Sequence, residues 1–148
     1  MRILHLDCSS GVAGEMWLGA LIGAGASVEA VQDAVAAMGV GDVRITIGRV
    51  QRAGIQATSV RVRAPQETPS LRTWEQIRRL LEFAAIDDAV RDRSLATLER
   101  LAVAVGQAHG VGPDQVGFHE VGALDTIADI VGTQAALASL DVERVTCG

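Results

Sequence analysis

The chain has 148 residues and a net charge of −5 at neutral pH, and its hydrophobic fraction of 49% contrasts with an aromatic fraction of only 3%. The acidic balance, with no basic run interleaved with aromatic residues, argues against nucleic-acid binding. No stretch reaches the roughly 18 apolar residues that a membrane span requires, so we expect no membrane insertion. The N-terminus lacks the apolar core of a signal peptide, and two cysteines make no disulfide framework, which predicts a cytoplasmic protein.

The length fits a single domain covering residues 1–148. At this size a chain buries roughly 68–70% of its unfolded surface, so neither a disulfide nor a structural metal is needed for stability. The core must be built mainly from aliphatic side chains. The few large aromatic ones therefore stand out, and they are Trp17, Trp74, Phe83 and Phe118.

The first half of the chain predicts a strand, two helices and a hairpin. A short apolar run is followed by a small, glycine-rich turn and a helix that ends at Gly25. Ser27 is the expected N-cap of the second helix. Two alternating segments separated by a turn that contains Gly54 predict a β-hairpin with one wet face. The predicted ranges are strand 3–6, helices 13–24 and 28–38, and strands 42–50 and 57–63.

The second half is mainly helical. Residues 64–71 hold two of the three prolines and predict a loop. The sequence from Thr73 to Gln76 has the pattern of a capping box, and Gly110 is the expected end of the longest helix. The predicted ranges are helices 73–83, 87–109 and 123–140, a loop at 111–122 and a strand at 142–147.

This order predicts an α+β fold. We expect a small sheet of three to four strands with a ferredoxin-like split βαβ core, and several helices packed on one face of that sheet.

Two segments could carry chemistry. In LDCSSGVAGEMW, Leu6 to Trp17, a strand leads through a glycine-rich turn into a helix whose N-terminus could hold an anion, although a tight β-to-α turn explains the pattern better. In FHEVGALD, the residues His119 and Glu120 precede a helix on which Asp125 and Asp129 share one face. Imidazole and carboxylates are ligands for a divalent transition metal. The alternative, which stays open, is that Asp125 is only a helix N-cap, Asp129 is solvated and His119 is an ordinary loop residue.

Both segments resemble the LarC nickel-insertion family. LDCSSGVAGEMWLGALIGAG is similar to that family's LDCFSGISGDMFLGALLDLG, and FHEVGALDTIADIVG is similar to its HFHEVGAVDSIVDIVG. The RAGI turn and a helix that ends in HG also match. The resemblance implies CTP-dependent insertion of nickel into a pyridinium dithiocarboxylate mononucleotide. It places Asp7, Glu15, His109, His119, Glu120, Asp125 and Asp129 on polar positions of the family pattern.

Several positions depart from that pattern. Glu15 replaces an aspartate and Ser9 a phenylalanine, while Gly117, Val105 and Ser70 stand where the pattern has histidine, glutamate and histidine. The part to which the resemblance assigns nucleotide binding is not in the sequence either. These losses favour the hypothesis that the scaffold has changed function.

The preferred hypothesis is a cofactor-independent enzyme that binds a small apolar biosynthetic intermediate, most plausibly a cyclase of the cycloaddition type in specialised metabolism. Such a pocket would act by holding the substrate in its reactive shape and by donating hydrogen bonds. One alternative is a subunit of a split nickel-insertion protein, with nickel as its metal. Another is a non-catalytic binding or assembly protein.

The candidate residues follow from these hypotheses. For the enzyme, Glu15, His119 and Glu120 are candidate catalytic residues, and no metal is expected. We expect a homo-oligomer, because the small sheet can leave an edge strand open. The candidate substrate-binding residues are Asp7, Met16, Trp17, Trp74 and Phe118. If metal is retained, the candidate ligands are His109, His119, Glu120, Asp125 and Asp129.

Overall fold

Helices dominate the part of the chain that the computed structural model describes, which is residues 1–64, 72–118 and 124–148. The strands are β1 Ile3–Leu6, β2 Arg44–Arg52, β3 Ile55–Arg63, β4 Arg72–Thr73, β5 Gly117–Phe118 and β6 Arg144–Cys147. The helices are α1 Gly14–Gly23, α2 Val28–Ala36, α3 Trp74–Phe83, α4 Asp88–His109 and α5 Leu124–Ser139, with a 3-10 turn at Pro113–Gln115. Within these ranges no helix is both long and apolar enough to cross a bilayer.

The α+β class is confirmed, but the strands within the described ranges form three two-stranded sheets instead of one sheet of three to four strands. β1 pairs with β6 in parallel, whereas β2 with β3 and β4 with β5 are antiparallel pairs. Contacts at the outer edge of β3 help to explain why no further strand of the described chain joins the β2–β3 pair. There the backbone N–H of Val62 donates to Oε1 of Glu15 in α1 at 2.8 Å, so a helix side chain takes the place of a further strand.

The hairpin is longer and tighter than its sequence predicts. β2 and β3 pair until Arg52 faces Ile55, which leaves a loop of two residues. Both loop residues have positive φ, 48° at Ala53 and 83° at Gly54. This is the requirement of a two-residue loop that follows the twist of its strands. A glycine at the second position meets it without strain, and Ala53 adopts it despite its Cβ.

The helix boundaries follow the capping residues that the sequence indicates. The hydroxyl of Ser27 accepts a hydrogen bond from the N–H of Ala30, and Thr73 forms the reciprocal capping box with Gln76. Gly110 ends α4 with φ 68°, in the left-handed region. The loop predicted at 111–122 contains both the 3-10 turn and β5.

The core consists of two clusters. The α4 cluster surrounds α3, α4 and β5, and its fully buried members include Ile77, Leu98 and Phe118. The α1 cluster joins α1 and α2 to β3, with Leu18 and Val31 at its centre. Helix α5 contributes to both clusters and packs against α1, α2 and α4. Its first turns therefore lie beside the N-terminus of α1, where the two sequence motifs meet.

Candidate functional site

Asp129 is the acidic residue at the junction of α1 and α5. It lies in the second turn of α5 and is half-buried. Its Oδ1 atom is buried and has no hydrogen-bond partner in the described structure. Burial, followed by the negative charges of Glu15 and Asp125, raises the pKa of Asp129 from 3.8 to about 6. An ionised Asp129 is therefore destabilised where it lies, and a bound cation would relieve both effects.

Gly14 allows this carboxylate to approach α1. A Cβ at position 14 would lie 2.6 Å from Oδ2 of Asp129, which is too close for any side chain unless the carboxylate moves. Gly14 is not among the site residues predicted from the sequence, although it is the first residue of the helix in the SGVAGE motif. Glycines at a helix start beside a polar motif are the signal that could have identified it.

Glu15 is the second acid of this junction. It is half-buried in the first turn of α1, and its Oε1 accepts the hydrogen bond from Val62. Asp125 is exposed in the first turn of α5, where its Oδ1 accepts from the N–H of Thr126 at 2.8 Å. Glu15, Asp125 and Asp129, which we call the carboxylate cluster, are thus brought together from two distant motifs.

Asp7 lies at the end of β1 and is exposed. The N–H of Ser9 donates to its Oδ1 at 3.0 Å. Hydrogen bonds from Ser9 lower the pKa of Asp7 below its usual value, so this carboxylate is ionised at neutral pH. The predicted β-to-α turn is present here.

The four apolar residues predicted to line a pocket are separated. Trp74 and Phe118 are buried in the α4 cluster, 3% and 2% exposed, whereas Trp17 packs half-buried against the α1 cluster. Met16 is 61% exposed. The α-helical period turns residues 16 and 17 to different sides of α1. The described structure therefore gives Trp74 and Phe118 core positions, and their role in substrate binding stays a prediction.

His109 lies outside the carboxylate cluster, at the exposed end of α4. It borders a cavity of about 190 Å³ that is also lined by Val105 and Gly117. These are the two positions where the family pattern carries glutamate and histidine. The three positions therefore face one cavity, in which His109 is now the only ionisable lining residue among those described. Two of the departures from the family pattern thus lie at one place in the structure.

His119 and Glu120 lie outside the described residues, as does Ser70. Among residues 1–64, 72–118 and 124–148, no group of three or more His, Cys, Asp and Glu side chains is arranged to hold a metal ion. The carboxylate cluster alone thus does not complete a metal site. It provides charge and an unsatisfied buried oxygen from which such a site could be built.

Comparison with known proteins identifies relatives along the whole chain. Residues 4–148 match the family model described as nickel insertion protein. A putative nickel insertion protein of Thermomicrobium roseum is 42% identical over 149 residues, which cover 100% of this chain and 36% of the relative. The pyridinium-3,5-bisthiocarboxylic acid mononucleotide nickel insertion protein of Nocardioides sp. is 44% identical, covering 99% of this chain and 37% of the relative. No solved structure matches.

The hypothesis of a cofactor-independent cyclase is wrong, because the relatives are named as nickel insertion proteins. The associated prediction of cycloaddition in natural product biosynthesis is wrong for the same reason. The substitutions at residues 105 and 117 were given too much weight, since identity near 40% over the full chain outweighs a few changed positions.

The chain spans little more than a third of the length of the relatives it matches. The resemblance inferred from LDCSSGVAGEMW and FHEVGALD is nevertheless confirmed by a family match that extends from residue 4 to residue 148. The chain belongs to the nickel insertion protein family.

Proposed function

We propose that this chain forms the nickel-handling part of a protein that inserts nickel into pyridinium-3,5-bisthiocarboxylic acid mononucleotide. The proposal is supported by the relative from Nocardioides sp., which carries that name and aligns with 99% of the chain. Nickel and the mononucleotide are then substrates of the reaction. We propose further that residues 1–148 fold as one domain, since α5 contributes to both core clusters.

The observation that carries the proposal is the state of Asp129. Its Oδ1 atom is buried without a hydrogen-bond partner in the described structure, beside two further carboxylates. Buried polar atoms without partners are rare, and each one calls for a physical reason such as an ion. A divalent cation between Asp129 and Glu15 would supply the missing interaction and neutralise the repulsion.

The ligand chemistry extends this site toward nickel. Carboxylates are hard ligands, and imidazole is the side chain that suits nickel. His119 and Glu120 lie five and four residues before Leu124, the first residue of α5, and we propose them as further ligands on that sequence relation alone. Asp125 and Asp129 would then contribute oxygen atoms.

Equilibrium dialysis of the chain against Ni²⁺ tests the carboxylate cluster. Asp129→Asn keeps the shape and removes the charge, so we expect nickel affinity to fall by about 10-fold or more. Binding should also weaken as the pH falls through about 6, where Asp129 becomes protonated.

The matched control is Asp92→Asn on the exposed face of α4, which removes the same charge far from α1 in sequence and should leave affinity unchanged. Equal losses in the two variants would mean that nickel responds only to net charge. No loss in Asp129→Asn would rule out the carboxylate cluster as the nickel site.

A further inference from the structure

The two cysteines of the chain, Cys8 and Cys147, meet at the ends of β1 and β6. The parallel register pairs Leu6 with Cys147, and the N–H of Gly148 donates to the carbonyl of Leu6 at 3.0 Å. The N–H of Cys8 continues the ladder toward the carbonyl of Gly148 at 3.5 Å. The fold therefore brings together two residues that are almost the full chain apart.

Both thiols lie on the same face of this ladder. Side chains alternate along a strand, so Cys8 returns to the side of Leu6, which is also the side of its neighbour Cys147. A hydrogen bond with the Cys147 side chain raises the pKa of the Cys8 thiol. Cys8 is half-buried and Cys147 exposed, and neither forms a disulfide. The pair is thus close together and open to solvent.

We propose that Cys8 and Cys147 bind the nickel ion as a pair of thiolates. This inference rests on the proposed function, because it assigns a ligand set to the metal which that function handles. On binding, each thiol loses its proton to solvent and its sulfur donates an electron pair to Ni²⁺. Two protons are released and no oxidation state changes.

The chemistry of the pair suits a metal that must be passed on. Thiolates bind the later divalent metals of the first row well, and nickel lies near the top of that order. Two protein ligands leave other coordination positions open, as in metal sites that admit a substrate. The thiocarboxylate sulfurs in the name of the Nocardioides relative are soft donors of the same kind, which could take the ion over.

The surroundings also favour a cation. The exposed carboxylate of Asp7 directly precedes Cys8 in the chain. A bound divalent ion would be attracted by this carboxylate. From Cys8 the chain runs through the glycine-rich turn to Glu15, so one short segment links the thiol pair to the carboxylate cluster.

Absorption spectroscopy tests the proposal, because thiolate-bound Ni²⁺ has near-ultraviolet charge-transfer bands that carboxylate ligands do not produce. The reduced chain, titrated with Ni²⁺ without oxygen, should develop such bands. Cys8→Ser and Cys147→Ser should each raise the nickel concentration needed to develop the bands by about 10-fold or more, on the scale of a lost ligand. Cys147 is exposed, so its variant should keep the far-ultraviolet circular dichroism of the parent.

Asp92→Asn, on the exposed face of α4, is the control and should retain the bands. Absence of bands in the parent chain, or bands that develop at the parent's nickel concentration in both serine variants, would overturn the proposal. Oxidation to a Cys8–Cys147 disulfide without any nickel bands in the reduced chain would overturn it too, and would identify a redox pair. If the chain retains nickel in dialysis but shows no thiolate bands, the thiolate proposal fails and the carboxylate cluster remains the proposed nickel site. If the bands appear and Asp129→Asn binds nickel with unaltered affinity, only the carboxylate cluster is rejected.

Discussion

The α4 cluster and the α1 cluster differ in what they hold at their rims. The α4 cluster encloses Trp74 and Phe118, and the cavity at its edge has Val105 and Gly117 where the family pattern has glutamate and histidine. The α1 cluster is built from smaller aliphatic residues, yet its rim carries the carboxylate cluster and the ends of β1 and β6. The proposed chemistry of this chain thus lies where α1 begins, and we expect the α4 side mainly to provide stability.

Phe118→Ala should have the largest effect on that comparison. The side chain is 2% exposed in the α4 cluster, and removing a buried phenylalanine costs about 3–5 kcal/mol in the free energy of unfolding. Urea denaturation measures this loss. Met16→Ala, at a site that is 61% exposed, should change stability by less than about 0.5 kcal/mol. A small loss in Phe118→Ala would show that the α4 cluster is not the stabilising half.

Gly19→Ala tests how closely the α1 cluster is packed. A Cβ at position 19 would lie 2.6 Å from the backbone carbonyl oxygen of Thr58 in β3, so helix and strand would have to separate. We expect a loss of about 1–3 kcal/mol by chemical denaturation, as for other overpacked sites. Gly48→Ala is the matched control, because a Cβ there meets nothing within 4 Å. Similar values for the two variants would contradict a close contact between α1 and β3.

Asp129→Asn should have the smallest effect, and of opposite sign. The pKa in the folded state, about 6, lies above the usual 3.8, so ionisation destabilises the fold increasingly as the pH rises above about 4 and fully once it exceeds about 6. A shift of this size corresponds to about 3 kcal/mol if unscreened. Because Asp129 is half exposed, solvent reduces the expected gain to about 1 kcal/mol.

That gain should disappear as the pH falls from about 6 toward 4, since Asp129 then becomes protonated in both the folded and the unfolded state. Thermal unfolding of the variant and the parent at several pH values, without metal, measures it. A variant that is less stable than its parent at pH 7 would show that the charge of Asp129 already has a partner. The combination of higher stability with weaker nickel binding is typical of a functional site.

Local sequence signals determined most of the secondary structure. Ser27, Thr73 and Gly110 mark helix ends by hydrogen bonds and backbone angles that involve only their near neighbours, and the structure has helix ends at these positions. The alternating residues of β2 and β3 likewise identified the hairpin, although the two-residue loop at Ala53 and Gly54 was placed too broadly. Long motifs identified the family for a similar reason, since they are contiguous in the chain.

Only the tertiary structure decided which distant residues meet. No spacing predicts that Glu15 completes the edge of β3 at Val62, or that Gly14 faces Asp129. The separation of Trp17 from Trp74 likewise depends on the packing of α5 against both clusters. The approach of Cys8 to Cys147 depends on a parallel ladder between the first and last strands. Such contacts join residues far apart in sequence, and they form only when helices and strands bury their apolar faces together, which no local pattern encodes.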